Sequence, residues 1–127
     1  MQKSKVNKFE IMEDLENKVV DWGYSKGILT SAAPDTFRRI KQLIKTEEEV
    51  IELADAIHGD DRTEAIDAIG DILVTLIMQT RLWNTNLYEC LDEAFEVISK
   101  RTGRMVDGIF VKDEERIVQH YAARRDR

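Results

Sequence analysis

The sequence predicts an all-α protein, an antiparallel four-helix bundle with a small C-terminal hairpin or extended segment. Three observations lead there. Apolar residues recur at helical spacing in four blocks of about 15–23 residues. The connections between the blocks are short, which makes successive helices antiparallel neighbours. The one strong strand signal, Asp107-Gly108 between two short β-type runs, comes after the fourth block.

The first helix is expected from about Val6 to Trp22, on the spacing of Val6, Phe9, Met12, Leu15, Val19 and Trp22. Gly23 and Gly27 then break the pattern and predict a loop. Trp22 and Tyr24, at that boundary, read either as packing residues or as rings that stack on a base.

Pro34 is the only proline and suits the first turn of a second helix, with Ser31 to Ala33 as the cap region. The stripe Phe37, Ile40, Leu43, Ile44, Val50, Ile51, Ala54 and Ile57 carries that helix to about Ile57. Gly59 marks its end. Asp61, with Glu64 three residues on, opens the third helix in the manner of a capping box, so Glu64 reads as a cap residue. The third helix runs to about Trp83. The segment 84–86 caps the fourth, which is amphipathic through Leu87, Leu91, Ala94, Phe95 and Ile98 and ends near residues 100–103. A short helix over about Glu115 to Ala123 is expected in the tail.

The third block, EAIDAIGDILVTLIM, is apolar nearly all round, which places it in the middle of a core. Yet Asp67 and Asp71 stand inside it on one stripe, a turn apart. Buried carboxylates in such a pair require a cation, hydrogen bonds or raised pKa values. Gly70 between them gives up helix propensity and leaves room for something to approach.

The second block offers Glu48, Glu49 and Glu52 beside its apolar stripe. Counted from the turn at Gly59, Glu52 and Asp67 fall at similar heights on adjacent antiparallel helices. Their carboxylates can converge, and four or five together call for a cation. Oxygen-only ligation, with neither His58 nor His120 in a metal-binding spacing, points to a hard ion, Mg²⁺ or Mn²⁺. A di-iron carboxylate bundle would need Glu-x-x-His pairs, and there are none. The competing reading is a non-catalytic helical interaction module whose acidic run is a solvated face and whose core carboxylates meet Lys or Arg.

Composition sets further bounds. A chain of 127 residues, 43% apolar and 35% charged, is enough for one domain with a real core. A net charge of −6 argues against nucleic-acid binding by phosphate neutralisation. Cys90 is the only cysteine, so no internal disulfide forms. No apolar run reaches the ~20 residues of a membrane span, and the start of the chain lacks the apolar stretch of a signal peptide. A cytoplasmic protein with no membrane partner is expected.

EEEVIELADAI followed by EAIDAIGDILVTL resembles the MazG-like all-α nucleoside triphosphate pyrophosphohydrolases, in their phage-type form. Family members carry Glu-x-x-Glu on one helix and Glu-x-x-Asp on the next. Glu49-Val-Ile-Glu52 matches the first pair and Asp71 the end of the second. Position 68 departs, with Ala where the family has Glu, and Asp67 stands one residue earlier. The resemblance spans about residues 15–112. It implies a single domain, a core over about 6–112 with a tail over 113–127, and Mg²⁺-dependent hydrolysis of a (d)NTP to (d)NMP and pyrophosphate. It implies metal ligation by Glu49, Glu52, Asp67 and Asp71, with Glu48 or Glu52 as general base. Lys100 and Arg101, with Arg104, fit the family's phosphate-binding place near the end of helix four, and Trp22 is a candidate for the nucleoside. A homodimer or homotetramer, its base pocket completed between subunits, is the assembly it implies.

Overall fold

The computed structural model describes residues 7–113 and is helical in the main. Four helices follow one another: α1 (Lys8–Ser25), α2 (Thr36–His58), α3 (Arg62–Leu82) and α4 (Leu87–Ile98). A two-stranded antiparallel hairpin follows, β1 (Gly103–Val106) with β2 (Ile109–Lys112). The expected all-α fold with a C-terminal hairpin is therefore present. The helix expected in the tail lies outside the described residues. The chain forms two compact units, Met1–Cys90 and Leu91–Arg127.

Three helices of the first unit end in the same way, and the endings explain the short turns. Past α1, Gly27 takes a left-handed conformation, with Ile28 N–H donating to Gly23 C=O at 3.0 Å and Gly27 N–H to Tyr24 C=O at 3.1 Å. Past α2, Asp60 is left-handed and Asp61 N–H reaches Ala56 C=O at 2.9 Å. Past α3, Asn84 is left-handed and Thr85 N–H reaches Thr80 C=O at 3.0 Å. Each ending satisfies carbonyls that the helix leaves open. The marker expected for α2, Gly59, does sit at the C-cap, but in a right-handed conformation (φ −85°); the residue after it makes the reversal. Asp61 then serves two elements. Its amide closes α2, and its carboxylate accepts from Glu64 N–H at 3.1 Å to open α3.

Two boundaries differ from expectation. Gly23 does not break α1, which continues to Ser25. Gly23 is buried, and a Cβ there would collide with Met78 Sδ and lie 2.8 Å from Met78 Cε. The glycine lets α1 lie close against α3. The cap of α2 is Asp35 rather than Ser31 to Ala33, because its carboxylate accepts from Arg38 N–H at 2.8 Å. Pro34 thus precedes the cap, where it biases Ala33 away from helix.

The apolar core of the first unit joins Leu29, Ile77, Met78 and Leu82, flanked by Val19, Val20, Ile28 and Leu87. Glu16 of α1 ties the same region together. Its carboxylate accepts from Leu87 N–H at 2.7 Å and lies 3.8 Å from Arg81. Between α2 and α3 the buried residues are small or polar: Ala56, Ala68, Gln42 and Thr75. Thr46 Oγ1 donates to Thr75 Oγ1 at 2.9 Å, and Thr75 Oγ1 donates to Ile72 C=O at 2.7 Å. Small side chains and paired hydroxyls bring the two helices together without stranding polar atoms.

The expectation that α3 runs through the middle of a core does not hold for this chain by itself. One face is buried, but Ile66, Ile69, Leu73 and Leu76 are 37–52% exposed along the opposite face. On α2, Phe37, Ile40, Ile44 and Ile51 are likewise exposed. An apolar helix reads as buried whether the cover comes from its own chain or from another.

In the second unit, the hairpin pairs Arg104 with Val111 and Val106 with Ile109 across a turn at Asp107 and Gly108. Both turn residues have positive φ, 49° and 79°, as this tight turn requires.

Candidate active site

The turn after α2 positions the acidic residues. Three residues reverse the chain between His58 and Arg62, so the last turns of α2 run antiparallel to the first turns of α3. Glu49, Glu52 and Asp71 meet across this pair. Each offers a carboxylate oxygen, and the three oxygens lie within 4.8 Å of one another. Glu49 and Asp71 are half-buried, and Glu52 is exposed.

The electrostatics are those of an anion cluster that the nearby Lys45 only partly offsets. Loss of water raises the Glu49 pKa first, and Glu52 and Asp71 raise it further. Loss of water likewise raises the Asp71 pKa, with Asp67 and Glu52 adding to it. Glu49 Oε2 is buried and has no hydrogen-bond partner. A buried carboxylate oxygen without a donor, facing two further carboxylates, fits a cation. The groups here are all hard oxygen donors, the set that suits a divalent ion such as Mg²⁺ or Mn²⁺.

The other expected residues are arranged around this cluster or away from it. Asp67 is not one of the three converging groups, but it is close enough to raise the Asp71 pKa. Glu48 turns outward and pairs with Lys45 at 2.7 Å, which raises the lysine's pKa. Ala68, one residue after Asp67, is buried and offers no carboxylate. Gly70 faces open space, so a side chain there would meet nothing within 4 Å. Trp22 is 45% exposed near the end of α1, its carbonyl accepting from Lys26 N–H and Ser25 Oγ.

The basic candidates belong to the second unit. Lys100 and Arg101 follow α4, their amides bonded back to Val97 and Ile98 C=O. Lys100 Nζ lies 3.7 Å from Glu96 on an exposed surface. Arg101 is half-buried, and its Nε has no hydrogen-bond partner. Arg104 lies in β1.

Sequence reasoning passed over a second feature of the first unit. Arg39 donates from Nε and Nη2 to Leu82 C=O, at 3.1 and 3.0 Å, and its guanidinium lies 3.8 Å from the centre of the Trp83 ring. Arg39 therefore ties the start of α2 to the end of α3. Nothing in its spacing distinguishes it from the neighbouring Arg38.

The family model described as MazG nucleotide pyrophosphohydrolase domain matches residues 38–107, more than half of the chain. No curated protein and no solved structure matches it. The matched span begins in the first turn of α2, contains all three converging carboxylates, and ends in the hairpin turn. The four helices, the carboxylate cluster between the second and third, and this match together make the chain a member of the MazG nucleotide pyrophosphohydrolase family.

Proposed function

We propose that the protein hydrolyses a nucleoside triphosphate, (d)NTP, to the monophosphate and pyrophosphate, with Mg²⁺ as its ion and Mn²⁺ as a working substitute. The whole chain then acts as one MazG domain, in the cytoplasm. The observation that carries this reading is the convergence of Glu49, Glu52 and Asp71 around a carboxylate oxygen that has no donor of its own.

Glu49, Glu52 and Asp71 would hold the ion, with Asp67 completing its surroundings from one turn below Asp71. Held there, Mg²⁺ would supply a lowered pKa for a bound water and positive charge against the phosphates. The chain's own groups do the rest. Glu52, inside the cluster, and Glu48, beside it on α2, are the two candidates for accepting the water's proton. Lys100, Arg101 and Arg104 bind the phosphates, where cations stabilise the charge that shifts onto the leaving pyrophosphate. Trp22 offers an exposed ring to the nucleoside.

The active form is a homodimer or homotetramer. The exposed stripe Ile66, Ile69, Leu73 and Leu76, spaced i, i+3, i+7 and i+10, supports this. Apolar residues at that spacing form the seam through which helices pack on other helices. No helix among the described residues is long and apolar enough to cross a membrane.

The test is pyrophosphate release from a panel of ribo- and deoxyribonucleoside triphosphates, with and without Mg²⁺. Metal-dependent release from at least one member is expected. Absence of turnover for every nucleotide with Mg²⁺ and with Mn²⁺ would leave the non-catalytic interaction module as the better account.

A further inference from the structure

We propose that a cleft at the start of α2 binds a phosphate group through Arg38 and Lys41. The cleft is separate from the carboxylate cluster. It has a volume of about 340 Å³ and is lined by Ile28, Phe37, Arg38, Lys41, Gln42 and Leu82 among others. The proposal rests on the reading above only in naming the source of the phosphate, either the terminal phosphates of the nucleotide or free pyrophosphate.

The first argument is charge. The chain carries a net charge of −6, so its cations have an excess of carboxylates to pair with. Among the described residues, ion pairs form at Lys45, Arg81 and Lys100, and Arg38 and Lys41 are among the several cations that form none. These two cations share one cleft instead, and each is steadied by a neutral group. Arg38 Nη1 donates to Thr30 Oγ1 at 2.7 Å. Lys41 Nζ lies 4.4 Å from the centre of the Phe37 ring. Neither contact uses up the cation. A guanidinium has five N–H donors and an ammonium three, so several stay available for an anion's oxygens.

The second argument is the rest of the lining. Asp35, the one acidic group there, accepts the Arg38 backbone N–H at 2.8 Å as the cap of α2. That leaves Arg38's side chain to the cleft and to Thr30. Phe37, Ile28 and Leu82 give the wall an apolar part, which lowers the local dielectric and strengthens the pull of both cations.

The third argument is position. Arg38, Lys45, Glu49 and Glu52 are spaced i, i+7, i+11 and i+14 on α2, which sets them on one side of the helix. At 1.5 Å per residue, Lys41 stands about 12 Å along the axis from Glu49. One helix thus presents a cation-rich half and a carboxylate-rich half on the same side. A polyphosphate reaching away from the carboxylates meets Lys45 and then the cleft.

The experiment uses the full chain and inorganic pyrophosphate in chelator, so that no metal bridges the anion to the carboxylates. Calorimetry on the wild type should show binding. The double variant Arg38→Gln, Lys41→Gln should bind at least tenfold more weakly at an unchanged melting temperature, whereas Lys18→Gln, Arg62→Gln, at exposed positions outside the cleft, should bind as the wild type does. If the double variant fails to fold, Lys41→Gln alone, at an exposed position, carries the test with the same expected direction. Equal affinity in wild type and cleft variant overturns the proposal, as does a wild type that binds no pyrophosphate. Nucleotide kinetics separate the two sources: competitive inhibition by pyrophosphate, with KM raised in the variant, assigns the cleft to the substrate's own phosphates, and non-competitive inhibition assigns it to free pyrophosphate. Pyrophosphate binding that depends on Arg38 and Lys41 in a protein that hydrolyses no nucleotide would support the cleft and remove the enzymatic reading. Hydrolysis accompanied by undiminished binding in the variant would do the reverse.

Discussion

Glu49 on α2 and Asp71 on α3 bring carboxylate oxygens within 4.8 Å of each other, with Glu52 as the third member, and both are partly shielded from water. Asp71 adds to Glu49's difficulty in ionising, and Glu52 adds to that of both. For Glu49 and Asp71 alike, lost solvation is the larger cause and neighbouring carboxylates add to it. The cluster is a place where the folded chain holds anions together against their own preference.

A pH dependence follows. Raised pKa values mean that the folded chain binds these protons more tightly than the unfolded chain does. In the window above the ordinary carboxylate range, the unfolded state has lost protons that the folded state keeps, so stability contributed by these groups falls as pH rises. Denaturant unfolding of metal-free protein between about pH 4 and pH 7 should show this in the difference between wild type and Glu49→Gln or Asp71→Asn. Each variant should gain on the wild type as pH rises. A constant difference across the range would mean that neither carboxylate is held at a raised pKa.

The same cluster predicts the response to metal. Mg²⁺ or Mn²⁺ that binds only the folded state should raise the melting temperature, with a gain of about 2.7 kcal/mol at a hundredfold excess over Kd. Calorimetric binding should vanish in Glu52→Gln and in Asp71→Asn. Metal-free Asp71→Asn should be at least as stable as the wild type, since it removes charge repulsion at nearly constant shape. A strongly destabilised metal-free Asp71→Asn would instead make that carboxylate a structural partner of some cation.

Much of this was legible in the sequence, for physical reasons. Helical periodicity locates the four helices, and Asp107-Gly108 specifies the hairpin because both positions need positive φ. Counting along two helices joined by a short turn brings the carboxylates of α2 and α3 together, but it sets Glu52 level with Asp67, whereas the aspartate that converges with Glu49 and Glu52 is Asp71, one turn on. Other features depend on distant partners and leave no local mark. Gly23 looks like a helix breaker until Met78 is seen against it. Asp60 and Asn84 do the work usually given to glycine. The apolar face of α3 reads as buried because periodicity records that a surface is apolar, not what lies over it.

That face gives a third prediction. Ile69 and Leu73 are exposed near the middle of the α3 stripe. If a second copy covers the stripe, Leu73→Asp puts a carboxylate into an apolar interface, where an unpaired charge is strongly unfavourable. Sedimentation should show a wild-type oligomer and a largely monomeric Leu73→Asp at the same concentration, with helical content retained. A variant that sediments as the wild type does would place the interface elsewhere, with the α2 face through Ile40, Ile44 and Ile51 next to be tested.

The last prediction concerns Lys100 and Arg101, at the end of α4. Cations at a helix C-terminus complement the helix dipole, a role worth about 0.3–1 kcal/mol and open to either residue. That role would affect stability slightly and activity not at all. Lys100 already lies 3.7 Å from Glu96, an exposed pair of small energetic consequence. Arg101 differs, being half-buried with an Nε that has no partner. A phosphate oxygen would supply the missing acceptor. Removing both cations should therefore lower kcat/KM at least tenfold, about 1.4 kcal/mol of transition-state stabilisation, with little change in melting temperature. Of the single variants, Arg101→Ala should show the larger loss, because its orphaned donor has more to gain from substrate than an already paired lysine does. Saturating Mg²⁺ must be present throughout, so that a loss of metal is not read as a loss of phosphate contact. Wild-type turnover in the double variant would return both residues to the dipole role and leave phosphate binding to Arg104, the Arg38–Lys41 cleft or a neighbouring subunit.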